Sequence, residues 1–197
     1  MSDTRGYHHG DLRRALLSAA VQAIEESGPA ALSLRDLARR AGVSHAAPAH
    51  HFGDRAGLFT AIAAQGFDTL AEALTDAGDE MLELGMAYVD FAVRHRAHFE
   101  VMFHPELYRA DDAEVRAARE RSGAVLRAGL AHPSTRTRPA ADGRAGDDDL
   151  AEQQAEVLAA WSIVHGFATL WLAGALPAGL GDDPAVVARS VIRHLYT

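Results

Sequence analysis

The sequence predicts an all-α protein, and three observations lead to this fold class. Apolar residues recur every three to four positions along most of the 197-residue chain, which is the spacing of an amphipathic helix. Segments that alternate apolar and polar residues, as strands do, are not found, and neither are internal repeats. Residues 33–59 have the pattern of two short helices joined by a tight turn, and residues 150–176 form a long apolar stretch. We therefore expect an N-terminal three-helix domain with a helix-turn-helix, followed by a helical bundle.

The predicted N-terminal domain begins with a helix over residues 11–27, which Gly28-Pro29 ends. Ser33 can cap a second helix through its side-chain oxygen. The apolar stripe of that helix consists of Leu34, Leu37, Ala38 and Ala41. The spacing predicts that this stripe packs against the first helix.

The turn and the third helix follow at once. Gly42 suits a backbone that must leave a helix with a positive φ, and Ser44 can cap a helix running to about Phe52. Pro48 would lie at the fourth position of that helix, where it removes one backbone hydrogen bond and keeps the helix short. A helix-turn-helix of this kind is typical of proteins that place a helix in the major groove of DNA, although it also forms corners in plain helical bundles.

The rest of the sequence predicts further helices, with one long loop between them at about residues 132–149. A helical pattern runs from Arg55 to about residue 77, and others cover about 79–96, 97–108 and 112–131. A stretch rich in Pro, Gly and Asp at about 132–149 has no apolar period and predicts a mobile loop. The long apolar helix and a last helix at about 184–195 follow it.

Composition excludes several classes of protein. The chain has no Cys, so disulfides, thiolate catalysis and Cys-based zinc sites are excluded. It lacks an apolar core near its start and any uninterrupted apolar run of about 18 residues, so we expect a cytoplasmic protein with no membrane partner. The net charge is −8, but seven Arg face six acidic residues up to residue 60, which leaves +1 there and −9 in the remainder. A near-neutral N-terminal domain on an acidic body can still bind DNA, because phosphates respond to local charge.

The third helix carries the side chains suited to a DNA groove. Short or polar residues on its leading face can meet base edges, since Ala accepts a thymine methyl and His donates to a purine; these are His45, Ala46, Ala47 and His50. His51 can either hold the helix end or meet a phosphate. Ser33, Arg35 and Ser44 flank this face and can present helix N-termini or positive charge to the DNA backbone.

The order Ser33, Leu37-Ala38, Ala41-Gly42-Val43-Ser44, His51-Phe52 and Leu58-Phe59 resembles the N-terminal domain of TetR/AcrR-type transcriptional regulators, over about residues 8–65. The resemblance implies a DNA-binding domain over residues 1–54 and, by the usual output of that family, a repressor that binds a palindromic operator as a dimer. The sequence departs from the family at one position. Where the family has a Tyr that reaches a DNA phosphate, this chain has Ala49. The family's Lys after the recognition helix is Arg55, which retains the positive charge.

A second resemblance covers about residues 80–176. Trp161-Ser-Ile-Val-His165-Gly166 is similar to the Trp-x-x-x-His-Gly signature of one C-terminal domain type in these regulators, and residues 87–92 and 99–103 resemble the part before it. The resemblance implies that residues 55–197 bind an effector and form the dimer.

Aromatic and polar residues in this half are candidates for an effector pocket, which would suit an apolar or aromatic small molecule. They are Tyr88, Phe91, His95, Met102, Phe103, Trp161 and His165, although a residue of any of these types is more often part of an ordinary core. The long helix is apolar around much of its girth, so we expect it to pack against its own subunit and against the same helix of a second one. The candidate dimer residues are Phe167, Leu170, Trp171, Val187 and Val191.

Metal, cofactor and catalytic sites are not indicated. His95, His98 and His104 lie near one another in sequence, but no carboxylate spacing completes a recognised metal site. We find no nucleophile elbow, phosphate-binding loop or paired-acid motif, so we expect no enzyme. The competing interpretation is a ligand-binding or structural helical dimer whose DNA-binding head is weakened or lost, and Ala49 and the acidic total charge support it.

Overall fold

The computed structural model describes residues 5–130 and 147–194, with side chains over 11–129 and 154–194. In these residues the backbone forms nine α-helices and two short 3-10 helices, with no strand, which confirms the all-α prediction. The α-helices are α1 (Arg5–Ser27), α2 (Leu34–Arg40), α3 (Ala47–Phe52), α4 (Arg55–Asp76), α5 (Met81–Arg94), α6 (Arg96–Met102), α7 (Ala113–Leu130), α8 (Asp147–Leu172) and α9 (Pro184–Arg193). The 3-10 helices are Pro29–Ala31 and Pro105–Leu107.

Several helix ends differ from the sequence prediction. Helix α1 begins at Arg5, six residues before the predicted start. The helix predicted over 97–108 divides into α6 and a 3-10 turn that begins at Pro105. Residues 132–146 of the predicted loop lie outside the described residues, as does residue 195, while 147–149 belong to α8.

The third helix corrects two predictions. Helix α3 begins at Ala47, and Ala46 precedes it without a side-chain capping bond, so Ser44 does not cap it. Ser44 instead accepts a turn hydrogen bond at its carbonyl from the N–H of Ala47, at 3.0 Å. Pro48 is the second residue of α3, where an N–H would have no partner within the helix anyway, so it costs no hydrogen bond.

Contacts between helices divide the chain into two compact units. The first comprises the residues up to 67 together with 95–119, and the second comprises 68–94 together with the residues from 120 onward. This division runs through α4 and α7 and is structural, so the functional boundary after residue 54 stays a prediction.

The core of the first unit lies between α1, α2 and the first half of α4. Its fully buried side chains include Leu16, Ala20, Leu37, Ala38, Leu58, Phe59 and Ile62. Ser33 caps α2 as predicted, since its Oγ accepts from the N–H of Asp36 at 3.1 Å. Gly42 has φ +66°, which confirms the predicted turn after α2.

The second unit is built on α5, which packs against both α8 and α9. Its core includes Leu84, Tyr88, Val89, Ala92, Val164, Phe167, Ala168, Ala188 and Ile192. Gly85 allows the close approach, because a Cβ there would lie 3.0 Å from Ile192 Cδ1 and 3.3 Å from Val164 Cγ1. The stretch Gln154–Leu172 of α8 is long and apolar enough to cross a membrane, and only 17% of it is buried within the chain.

Candidate nucleic-acid interface and ligand cavity

Helix α3 and the turn before it present the predicted base-reading residues to solvent. His45, Ala46 and His50 are exposed, while Ala47 and His51 are half-buried. Phe52 on the opposite side is buried, as predicted, beneath the guanidinium of Arg13 at 5.4 Å from the ring centre. A buried aromatic anchor behind an exposed polar face is the arrangement a groove-reading helix needs.

The flanking residues lie at the edge of this face. Arg35 and Ser44 are exposed and Ser33 is half-buried. The Ser33 hydroxyl also donates to Asp36 Oδ2 at 2.8 Å, and this bond, followed by that from Arg39, lowers the pKa of the Asp36 carboxyl. The ionised Asp36 stabilises the first turn of α2, where negative charge complements the helix dipole.

Arg55 serves the protein's own backbone. Its Nε donates to the carbonyl of Leu32 at 3.0 Å and one terminal nitrogen donates to the carbonyl of Pro29 at 2.7 Å. Its guanidinium also lies over the buried Phe59 ring, 4.8 Å from the ring centre. Arg55 therefore holds the turn before α2 against α4, and its predicted contact with a DNA phosphate stays a prediction.

Sequence reasoning missed a cluster at the junction of α3 and α4. Asp54 caps α4 by accepting from the N–H of Gly57 at 2.8 Å, and its other oxygen accepts from Arg109 at 2.8 Å. The backbone N–H of Arg109 donates to Thr60 Oγ1 at 3.1 Å. A Cβ at Gly57 would lie 1.9 Å from the carbonyl oxygen of Phe52, so only glycine fits there. The spacing of Asp54 and Gly57 was the available signal, as an N-cap aspartate acts three residues ahead.

The candidate effector residues fall in both units. In the second unit, Tyr88 and His165 approach with the Tyr hydroxyl 3.0 Å from His165 Nδ1, and the Trp161 indole donates to the same hydroxyl at 3.3 Å. Phe91 is buried in the core of that unit. The first unit holds Met102, buried on α6, together with His95 and Phe103, which are half-buried.

Tyr88 and Trp161 line a small cavity in the second unit, with a volume of about 20 Å³. The other lining residues are apolar: Met81, Leu84, Gly85, Leu126, Val157, Ala160, Val164 and Ile192. This volume holds about one water molecule, so a larger molecule would fit only if the surrounding helices moved apart.

His98 is a buried histidine of the first unit. Its Nε2 lies 3.3 Å from Gln65 Oε1, while its Nδ1 has no hydrogen-bond partner among the described residues. Burial, with a smaller contribution from His95, lowers the pKa of His98 to about 4. No group of three or more possible metal ligands is found in the part of the chain that the structure describes.

The predicted dimer residues divide by exposure. Leu170 and Val191 are exposed and Trp171 is half-buried. Phe167 and Val187 are 6% and 8% exposed and pack in the core of their own unit, so their contact with a second copy stays a prediction. Further exposed apolar side chains, missed from the sequence, are Leu158 on α8 and Val186 on α9.

Two family profiles match the chain in succession. The profile of bacterial regulatory proteins, tetR family, matches residues 16–62, and that of the tetracyclin repressor-like C-terminal domain matches residues 81–195. The second match covers more than half of the chain. The Trp-x-x-x-His-Gly subtype expected for the C-terminal domain stays a prediction.

Known proteins with similar sequences or structures include three informative cases. The HTH-type transcriptional regulator BetI of Stenotrophomonas maltophilia (strain R551-3) is 38% identical over 82 residues, which is 40% of this chain and 42% of that regulator, so the match spans less than half of the relative. A protein of unknown function from Rhodococcus sp. RHA1 is 34% identical, with a TM-score of 0.74 over 98% of this chain and 97% of the other. The TetR family transcriptional regulator PfmR from Thermus thermophilus shares the fold at 20% identity, with a TM-score of 0.68 over 92% of this chain and 96% of that one.

Proposed function

Because the chain belongs to the TetR family of bacterial regulatory proteins, we propose that it is a cytoplasmic one-component transcriptional regulator that binds a palindromic operator as a dimer. The observation that carries this proposal is the exposed face of His45, Ala46 and His50 on a buried three-helix core. An exposed polar helix that is rigidly supported from behind can enter the major groove without rearranging the domain. No catalytic role is part of the proposal.

The proposed DNA contacts follow the geometry of the head. His45, Ala46, Ala47 and His50 meet base edges, and Ser33, Arg35, Ser44 and His51 meet the backbone. Arg55 contributes by fixing the turn before α2, through its bonds to Leu32 and Pro29.

The proposed dimer uses the exposed apolar side chains of α8 and α9. Leu158 is 58% exposed and Val186 is 66% exposed in the single chain, and Leu170, Trp171 and Val191 lie on the same two helices. Apolar side chains spread over two adjacent helices are typical of an interface between subunits. A second copy, rather than a membrane, covers the apolar stretch Gln154–Leu172 in this proposal, since two-fold symmetry matches a palindromic operator.

The proposed output is repression relieved by a small molecule. An apolar or aromatic effector that enters the second unit would favour a state in which the two heads no longer match successive major grooves. The size of the response is limited by how much better the effector binds that state.

The test is selection of fragments of the organism's own DNA by the purified chain, with His50→Ala and Arg35→Ala selected in parallel. We expect the wild-type chain to enrich a palindromic site, His50→Ala to lose base preference at one position of each half-site, and Arg35→Ala to bind all fragments less tightly. Random recovery by all three proteins would contradict the proposal.

One observation favours the competing function, a ligand-binding helical dimer with a lost DNA-binding head. The two positions at which the family contacts phosphate are an exposed Ala49 and an Arg55 that bonds to its own backbone. Equal, weak binding to random DNA even at low salt, with an intact dimer, would support that alternative. Leu170→Glu should dissociate the dimer in sedimentation experiments, while Leu180→Glu, an equally exposed leucine outside α8 and α9, should not.

A further inference from the structure

A buried polar cluster of Tyr88, Trp161 and His165 adjoins the cavity of the second unit, which Tyr88 and Trp161 line. The Tyr88 side chain is 1% exposed, and its oxygen meets both the Trp161 indole and the His165 ring. An indole N–H can only donate, so Trp161 donates to the Tyr88 oxygen. The hydrogen bond between the Tyr88 hydroxyl and His165 Nδ1 runs in the direction that the His165 tautomer sets. Burial lowers the pKa of His165 and raises that of Tyr88, in agreement with two neutral groups.

The remaining wall of the cavity is apolar, and none of its described lining residues carries a charge. A charged molecule placed there would lose its hydration without gaining a counter-charge, and burial of an unpaired charge is far more costly than burial of a polar group that forms a hydrogen bond. A neutral polar group, by contrast, can exchange places with Trp161 or His165 at the Tyr88 hydroxyl.

We propose that the effector is an uncharged, mainly apolar molecule with one hydrogen-bonding group, and that Tyr88, Trp161 and His165 determine this specificity. The inference rests on the proposed function, in which the second unit binds the effector. The molecule enters by widening the contact between α5 and the pair α8 and α9 at Gly85, where a Cβ would lie 3.0 Å from Ile192 Cδ1. Its polar group bonds to the Tyr88 hydroxyl, and its apolar body lies against Leu84, Val164 and Ile192.

The experiment uses four one-ring probes that differ in a single substituent: benzyl alcohol, toluene, benzoate and benzylammonium. The chain contains two Trp, so an indole ¹H–¹⁵N spectrum of the full chain has two side-chain signals, and Trp171→Phe assigns them. We expect benzyl alcohol to shift the Trp161 signal saturably and to bind about tenfold more tightly than toluene. Benzoate and benzylammonium should leave the signal unchanged at the same concentrations.

Tyr88→Phe should abolish the tenfold preference for benzyl alcohol over toluene. Tyr108→Phe is the matched control, because it removes another buried hydroxyl, which bonds to the Met102 carbonyl in the first unit; it should leave the preference intact. Thermal melting should show that both variants fold.

Two results overturn the inference: equal binding of the charged probes at Trp161, or no shift of its signal by any probe. A preference for benzyl alcohol that survives Tyr88→Phe would remove Tyr88 from the specificity determinants. Failure of the proposed function has a different signature, which is loss of selective DNA binding while the probe preference at Trp161 persists.

Discussion

Arg55→Ala should destabilise the N-terminal head more than it alters its electrostatic attraction to DNA. The change removes two hydrogen bonds from a charged donor to the carbonyls of Leu32 and Pro29, and a cation–π contact with Phe59. Hydrogen bonds from charged groups contribute about 1.5–3 kcal/mol each, and water that reaches the freed carbonyls offsets part of the loss. We therefore expect a loss of about 3 kcal/mol in the free energy of unfolding. In a chain of 197 residues, that corresponds to a fall of about 6–12 °C in Tm.

The assay combines thermal melting with DNA titrations at several salt concentrations, and Arg35→Ala is the matched control. Arg35 is exposed, so its removal should leave Tm within about 1 °C and reduce the salt slope by about one per phosphate contact, or about two per dimer. Arg55→Ala should lower Tm and overall affinity but leave the salt slope unchanged. An unchanged Tm with a reduced slope for Arg55→Ala would refute this reasoning and restore Arg55 as a direct phosphate contact.

The remaining predictions concern three other positions. The pKa of His98 is about 4 in the fold and about 6.5 when unfolded, so only the unfolded chain takes up a proton as the pH falls between these values. The free energy of unfolding should therefore drop by ~2 kcal/mol from pH 8 to pH 5 in urea melts. His98→Gln should remove this drop, and an identical pH dependence in the variant would contradict the prediction. Gly57→Ala should lower both Tm and DNA affinity, because the added Cβ would meet the Phe52 carbonyl oxygen. Gly123→Ala is the control and should fold normally, because its Cβ approaches only the guanidinium of Arg127. Equal Tm values for the two variants would argue against the close approach of Gly57 to Phe52. Ala49→Tyr should tighten DNA binding in fluorescence anisotropy titrations without changing the preferred sequence, since Ala49 is exposed and a Tyr there could reach a phosphate. Weaker DNA binding by the variant would contradict this prediction.

Local patterns predicted most of the helices because apolar spacing and helix caps act over a few residues. Ser33 caps α2 and Gly42 has a positive φ as expected, and α4 starts at Arg55 as its pattern indicates. The predicted start of α3 was wrong, because serine is a residue type favoured at N-caps but Ser44 does not cap this helix. A proline favours the first turn of a helix, and Pro48 therefore places that turn two residues later.

The site was predictable only as far as exposure follows from helix periodicity. The outer face of α3 was found in this way. Arg55 donates hydrogen bonds to the carbonyls of Leu32 and Pro29, which are more than 20 residues away in sequence. A local sequence pattern does not indicate contacts over such a separation, so this role of Arg55 could not be predicted. The same holds for Phe167, since an apolar residue on a helix that is apolar on most sides can face either its own core or a partner.

The central claim is that two copies of this chain read one palindromic DNA site. The most direct test is a titration of the selected DNA fragment with the purified chain at 50 and 200 mM salt, with the mass of the complex measured at saturation. We predict two chains per palindrome and an affinity that falls by at least about tenfold between the two salt concentrations. Saturation with one chain, or an affinity that does not depend on salt, would contradict the claim.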